Sequence, residues 1–101
     1  MEGTYEIFLG RLGVNPDLRY TAKSEAVCAL SVAVDQKDRD KPVWKRVVVW
    51  GKQAELCNLY LKKGHEVFVQ GQNKVREFED KRGILRSVEE VKAQLIGFSN
   101  L

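Results

Sequence analysis

The sequence predicts an all-β protein, a five-stranded barrel with one short helix between its third and fourth strands and a long hairpin joining its fourth and fifth. Three observations predict it. Short, valine-rich segments recur between stretches dense in turn residues, as strands and their connections do. Only residues 52–64 place apolar side chains at helical spacing without competition from a strand pattern. That lone helix falls in mid-chain, which argues against parallel βαβ layering, where each crossover needs a helix of its own. With 101 residues and no internal repeat, linker or low-complexity tract, residues 1–101 read as a single domain with a modest core.

Residues 4–12 (TYEIFLGRL) read as a first strand, with Tyr5, Ile7 and Leu9 on one face and Phe8 and Leu12 on the other. Bulk on both faces predicts cover on both sides over part of its length, and Gly10 suggests a tight bend or a close backbone approach. Residues 13–25 are rich in turn formers, with Asn15-Pro16-Asp17 as a turn, and are expected to be a loop. Residues 27–34 (VCALSVAV) form a second strand, apolar apart from Ser31, and Pro42 bars a central strand from the connection at 36–42. The third strand, residues 43–51, reads VWKRVVVWG.

In residues 52–64 the period changes: Ala54, Leu56, Cys57, Tyr60 and Leu61 recur at helical spacing, and Lys62, Lys63 and Gly64 suit a helix C-terminus. Tyr60 lies on the apolar face of this helix and reads as core. Residues 65–71 are a fourth strand, 72–78 continue it in extended form, and 79–83 (EDKRG) are a hairpin tip turning at Gly83. Residues 84–98 fit either element, since Val88, Val91 and Leu95 keep helical spacing and Val91, Ala93 and Leu95 keep strand spacing. Five strands with a helix after the third suit a small, partly open barrel of the kind that binds oligonucleotides.

Composition bounds what the chain can do. Lysine and arginine number 17 against 14 acidic residues, a net charge of +3 that allows a polyanionic partner without requiring one. Residues 35–41 alternate in sign and nearly cancel, KKGH at 62–65 is a compact positive site, and REFEDKRG at 76–83 mixes both signs. No apolar run approaches the ~20 residues of a membrane span, and the N-terminus lacks the pattern of a signal peptide, so a cytoplasmic protein is expected. Cys28 and Cys57 then read as buried free thiols in a reducing compartment.

Catalytic constellations are missing. His65 is the single histidine and is expected on an exposed loop; with two distant cysteines it makes no metal site and no triad. The glycines form neither a P-loop nor a dinucleotide fingerprint. Glu77, Glu79 and Asp80 sit among basic residues on the hairpin, where a solvated face explains them. Neither an enzyme nor a cofactor is expected. The informative stretch is VWKRVVVWGK at 43–52: strand alternation puts Trp44, Arg46, Val48 and Trp50 on one face and Val43, Lys45, Val47 and Val49 on the other. Two readings follow, one in which a tryptophan plugs the end of the core and Arg46 snorkels past it, and one in which the face is open and offers two π surfaces with a cation between them.

The segments LGRLGVNPDLRYT (9–21), VWKRVVVWGKQAELCNLYLKKGHEVFVQGQ (43–72) and RGILRSVEEVKAQLIGF (82–98) together resemble the bacterial single-stranded DNA-binding proteins, in their oligonucleotide-binding (OB-fold) domain. The middle segment is long enough to be highly specific. The resemblance implies that residues 89–96 are the fifth strand, closing the barrel, and that 72–88 are a hairpin reaching over bound strand. It implies base stacking on Trp44 and Trp50, which favours the open face, and on Phe78 at a hairpin position usually held by tryptophan. Lys52 and Lys63 match basic positions; Arg46, Lys62, Arg76, Arg19 and Arg86 are further candidates for phosphate contacts, with Arg19 and Arg86 equally able to serve as framework residues paired with carboxylates. It further implies a homotetramer, with a dimer as the alternative, joined through the N-terminal strand.

Departures from the family pattern carry their own expectations. Lys45 stands where a histidine often lies at a subunit contact, so symmetry-related ammonium groups would repel one another unless a carboxylate faces them. Glu77 replaces a common basic residue, and residues 35–42 hold no aromatic, which predicts a weaker or shorter footprint. Family members usually continue into a flexible tail with an acidic tip that recruits replication and repair enzymes. A chain without that tail is expected to coat DNA and not to recruit partners in the usual way. The expected function is sequence-nonspecific binding and protection of single-stranded DNA in replication, repair or recombination, on the cytoplasmic nucleoid. The alternative is a tail-less accessory protein of a replication-restart complex, acting through protein contacts; an oligosaccharide- or peptide-binding barrel is a third class.

Overall fold

The computed structural model describes residues 4–98. Its elements follow in the order β1 (Tyr5–Leu12), β2 (Asp17–Tyr20), β3 (Ala26–Val34), β4 (Val43–Trp50), α1 (Lys52–Tyr60), β5 (Glu66–Glu79) and β6 (Leu85–Phe98). Neighbours run β1-β5-β6-β4-β3, and β1 pairs with β3 again through Arg11↔Ala33 and Leu12↔Val32, so five strands close into a ring consistent with an OB-fold. All pairings are antiparallel except β4–β6, a short parallel seam at Val47↔Val91 and Val48↔Lys92.

Alternation builds the core. Cys28, Leu30 and Val32 of β3, Val47 and Val49 of β4, and Val67 and Val69 of β5 all point inward and are at most 2% exposed. Each such valine contributes ~1.5–3 kcal/mol of burial, and their β-branched side chains suit the pleat. Gly10 lies where β1 leaves β5 for β3, and a side chain there would stand 2.5 Å from the Ala33 carbonyl oxygen and from Val32 Cγ1. Of the tight bend or close backbone approach expected at this glycine, the close approach is found.

The bend that frees the hairpin arm has a similar cause. Between Gln70 and Gly71 the β5–β6 register slips, leaving Gln94 as an extra residue on β6. A Cβ on Gly71 would run into the Lys92 carbonyl oxygen and lie 2.9 Å from Ala93 Cα. Gln53 of α1 serves the backbone around this bulge, its Oε1 accepting from Ile96 N (3.3 Å) and its Nε2 donating to the Gln94 carbonyl (3.4 Å). Beyond the bulge β5 and β6 continue paired to Glu79↔Leu85, and the ambiguous segment is strand over Leu85–Phe98, not helix.

Several expectations are corrected. Residues 13–25 are not all loop: β2 pairs with β3 from Asp17↔Ala29 to Tyr20↔Ala26, because Leu18 alternates inward against the core. The return turn is held by Thr21, whose Oγ1 accepts from the Lys23 and Glu25 amides. Helix α1 stops at Tyr60, earlier than residue 64, because Leu61 turns extended (φ −99°, ψ 149°) to bury its side chain at 3% exposure. Gly64, at φ 90°, belongs to the separate turn that follows and is not a helix cap. Tyr60 is not core: it is 46% exposed, its ring centroid 6.4 Å from that of Phe98. The outer face of β1 is likewise uncovered, with Tyr5, Ile7 and Leu9 all exposed. His65 is half-buried rather than exposed, its Nδ1 accepting from the Lys62 amide at 3.3 Å.

Both cysteines are buried free thiols. Burial disfavours the thiolate and pushes the Cys28 thiol up to about 11 and that of Cys57 to about 12. Among the described residues no His, Cys, Asp and Glu group is placed to hold a metal ion, and no helix is long and apolar enough to cross a membrane.

Candidate nucleic-acid interface

Strand β4 divides its residues as parity requires. Val47 and Val49 are fully buried, whereas Trp44 is 59% exposed, Trp50 is 41% exposed and Arg46 between them is exposed. The open-face reading of VWKRVVVWGK therefore describes the fold, and no tryptophan plugs the core. Six residues of strand separate the two indoles by about 20 Å along β4. Trp44 lies over Gly13, where a methyl group would collide with the far edge of its ring. Trp50 sits in register with Val27, itself in register with Arg19 on β2.

Beside Trp50 the barrel wall and the arm enclose an open groove of about 680 Å³, lined by Val48 and Trp50 together with Arg19, Arg46, Lys74, Arg76 and Lys92. Asp17 and Glu90 are the carboxylates in this lining. The groove is therefore net positive, a property hidden in the linear sequence because its cations come from four strands. Glu90 accepts from Arg46 Nε at 2.7 Å and from Arg76 Nε at 3.0 Å. The Arg76 hydrogen bonds, helped by Arg46, hold the Glu90 carboxyl below the usual range against the opposing effect of its burial. Arg76 in turn stands 5.5 Å from the centroid of the Phe78 ring, two residues further along the same face of β5. Phe78 is 38% exposed on the arm.

The other predicted cations are distributed more widely. Lys52 opens α1 immediately beyond Gly51, and its side chain makes no ion pair among the described residues. Lys62 and Lys63 are exposed in the turn after α1, where the Lys63 amide donates to Asn15 Oδ1 at 2.8 Å. Arg19 pairs with Asp17 at 3.2 Å, and Arg86 with Asp80 at 2.6 Å. Asp80 is more than a solvated carboxylate: its Oδ1 also accepts from the Arg82 and Ile84 amides and so organises the hairpin tip. Arg86, followed by the Ile84 amide, holds the Asp80 carboxyl below its ordinary range.

Lys45 faces a carboxylate of its own chain. Its Nζ lies 2.8 Å from Glu6 Oε1, and Glu6 Oε2 accepts from Asn73 Nδ2 at 2.6 Å. Burial raises the Glu6 pKa, but the bonds from Lys45 and Asn73 outweigh it and leave the group lowered.

Sequence reasoning missed Lys74, Lys92 and Glu90. Parity from Arg76 points to Lys74 on the same face, and once Val91 is known to be buried, Glu90 and Lys92 must face outward. The spacing of residues 84–98 alone hides that signal, since it fits two elements; with 89–96 taken as a strand, alternation already groups Glu90 with Lys92 but does not say which face is outward. With an open face of two tryptophans, an aromatic-bearing arm and a net-positive groove between them, the architecture agrees with the comparison by sequence: the model of the single-strand binding protein family matches residues 6–99, and this chain belongs to that family.

Proposed function

We propose that this chain binds single-stranded DNA with little base preference, holding it unpaired and protected during replication, repair or recombination. Family membership implies single-strand binding. The observation that carries the fuller reading is the outward placement of Trp44 and Trp50 on one face of β4, with Arg46 between them. Bases of an unpaired strand expose flat faces that stack on aromatic rings regardless of identity, whereas a duplex hides them. Trp44, Trp50 and Phe78 would supply the stacking. Arg46, Arg76, Lys52, Lys62 and Lys63 would neutralise phosphates and release counterions, with Arg19 and Arg86 contributing from their ion pairs. Binding of this kind makes and breaks no covalent bond, so the chain acts as a binding module rather than an enzyme.

The exposed Tyr5, Ile7 and Leu9 on β1 support assembly of copies through that strand, and a tetramer is the state we propose. Pairing of Lys45 with Glu6 of its own chain supports this reading, since it offsets the charge expected to repel symmetry-related ammonium groups. Intrinsic tryptophan fluorescence during titration with poly(dT), at several salt concentrations and with duplex DNA as control, tests the reading. Saturable quenching by the single strand, weakening as salt rises, is expected. No quenching and no affinity at low salt would sink it; a dimer by sedimentation with that result would instead favour the accessory role, worked through the same β1 surface.

A further inference from the structure

The groove holds an anion that no proposed contact uses. Glu90 is only 14% exposed at its side chain, yet it occupies donors of two arginines that are about half exposed, at 47% for Arg46 and 54% for Arg76. Three bonds converge on its carboxylate: Arg46 Nε at 2.7 Å, Arg76 Nε at 3.0 Å and Arg76 Nη2 at 3.3 Å. The paired Nε and Nη2 contacts of Arg76 are the fork in which a guanidinium also takes two oxygens of a phosphate. A carboxylate and a phosphate cannot both fill that fork.

We propose that Glu90 is an internal competitor for the nucleic-acid backbone: in the free protein it occupies the phosphate-binding donors of Arg46 and Arg76, and a bound single strand displaces it. The inference rests on the reading of the groove given above and adds to it a residue that sets affinity and salt response. Two features make the exchange feasible. The arginines are exposed enough to swing toward a ligand, while Glu90 stays on a strand with Lys74 opposite it in register and Lys92 two residues away on the same face, so a released carboxylate keeps cationic neighbours. Arg76 also stands over Phe78, so its movement toward a phosphate changes the ring surface offered to a base. Because a carboxylate partner is exchanged for a phosphate, few net ion pairs are gained, and the strand is held less tightly and released more readily than by bare arginines.

The test is the affinity of Glu90→Gln for poly(dT) across a salt series. Glutamine keeps the size and removes the charge, and affinity at low salt is expected to rise roughly five- to tenfold, with the slope of log K against log salt steeper by about one. Glu89→Gln makes the same change of net charge at an exposed position whose parity points away from the groove, and is expected to shift affinity less than twofold. Equal or weaker binding by Glu90→Gln, or equal shifts in the two variants, overturns the proposal. If Glu90→Gln melts before it can be assayed, Glu90→Asp carries the test: it keeps the charge but is too short to span both arginines, so affinity is expected to rise about twofold, and an unchanged value overturns the proposal. Failure of the unsubstituted protein to bind poly(dT) removes the groove reading itself, and the role of Glu90 with it; binding that Glu90 variants leave unmoved removes only the latter.

Discussion

At the scale of single residues, exposure and bonding separate side chains open to solvent from those tied into the frame. Trp50 is 41% exposed and lines the groove, so Trp50→Ala is expected to weaken poly(dT) binding by ~1–3 kcal/mol, the worth of one stacked base. Its melting temperature is expected to change little, because the core against β4 is made by Val47 and Val49. Phe78→Trp enlarges the exposed ring at the arm and, if bases stack there as proposed, is expected to tighten binding severalfold by the same titration. Arg86→Ala belongs to the other group. It breaks the 2.6 Å pair to Asp80, which also caps the hairpin tip, so stability and arm order are expected to fall along with affinity, seen as faster amide exchange at residues 80–84.

At the scale of elements, the decisive features are glycines and a bulge. Gly71→Ala must push a methyl group against the Lys92 carbonyl, which is backbone and cannot swing aside, and a loss of ~1–3 kcal/mol in denaturant unfolding is expected. Much at this scale was legible beforehand. Alternation in residues 43–50 sorted the side chains into two faces and the resemblance favoured an open one for Trp44 and Trp50, while Gly10 announced a bend or a close approach and Gly83 a turn; the open face, the close approach and the turn are present. What was not legible has physical reasons. The four residues of β2 are too few for a period to show, and their pairing depends on β3 across the chain. Leu56 and Tyr60 keep helical spacing without being buried, since only Ala54 and Cys57 of α1 turn fully into the core. The groove's charge is a product of cross-strand register, which no linear reading of a mixed-sign sequence contains.

At the scale of the whole molecule, ion pairs that span elements make stability depend on pH. Glu6 and Glu90 are lowered from 4.5 and Asp80 from 3.8. Each therefore contributes stability that is fully present above its unfolded-state value and is lost as pH falls through its folded one. Thermal melts are expected to be flat from neutral pH down to about 5 and to fall steeply below about 4. The buried thiols act in the opposite direction. Raised from 9.0, they favour the fold below that value and withdraw their contribution as pH climbs toward 11 and 12. The ring itself carries a last consequence. It closes through two narrow seams, β1–β3 and β4–β6, each of only two residue pairs, so the barrel is two half-shells, one made of β2, β3 and β4 and the other of β1, β5 and β6. Arg46 and Glu90 stand on opposite banks of the second seam. A polymer laid along the groove would lie across that seam like a suture, and the free protein would breathe along the line that its ligand sews shut.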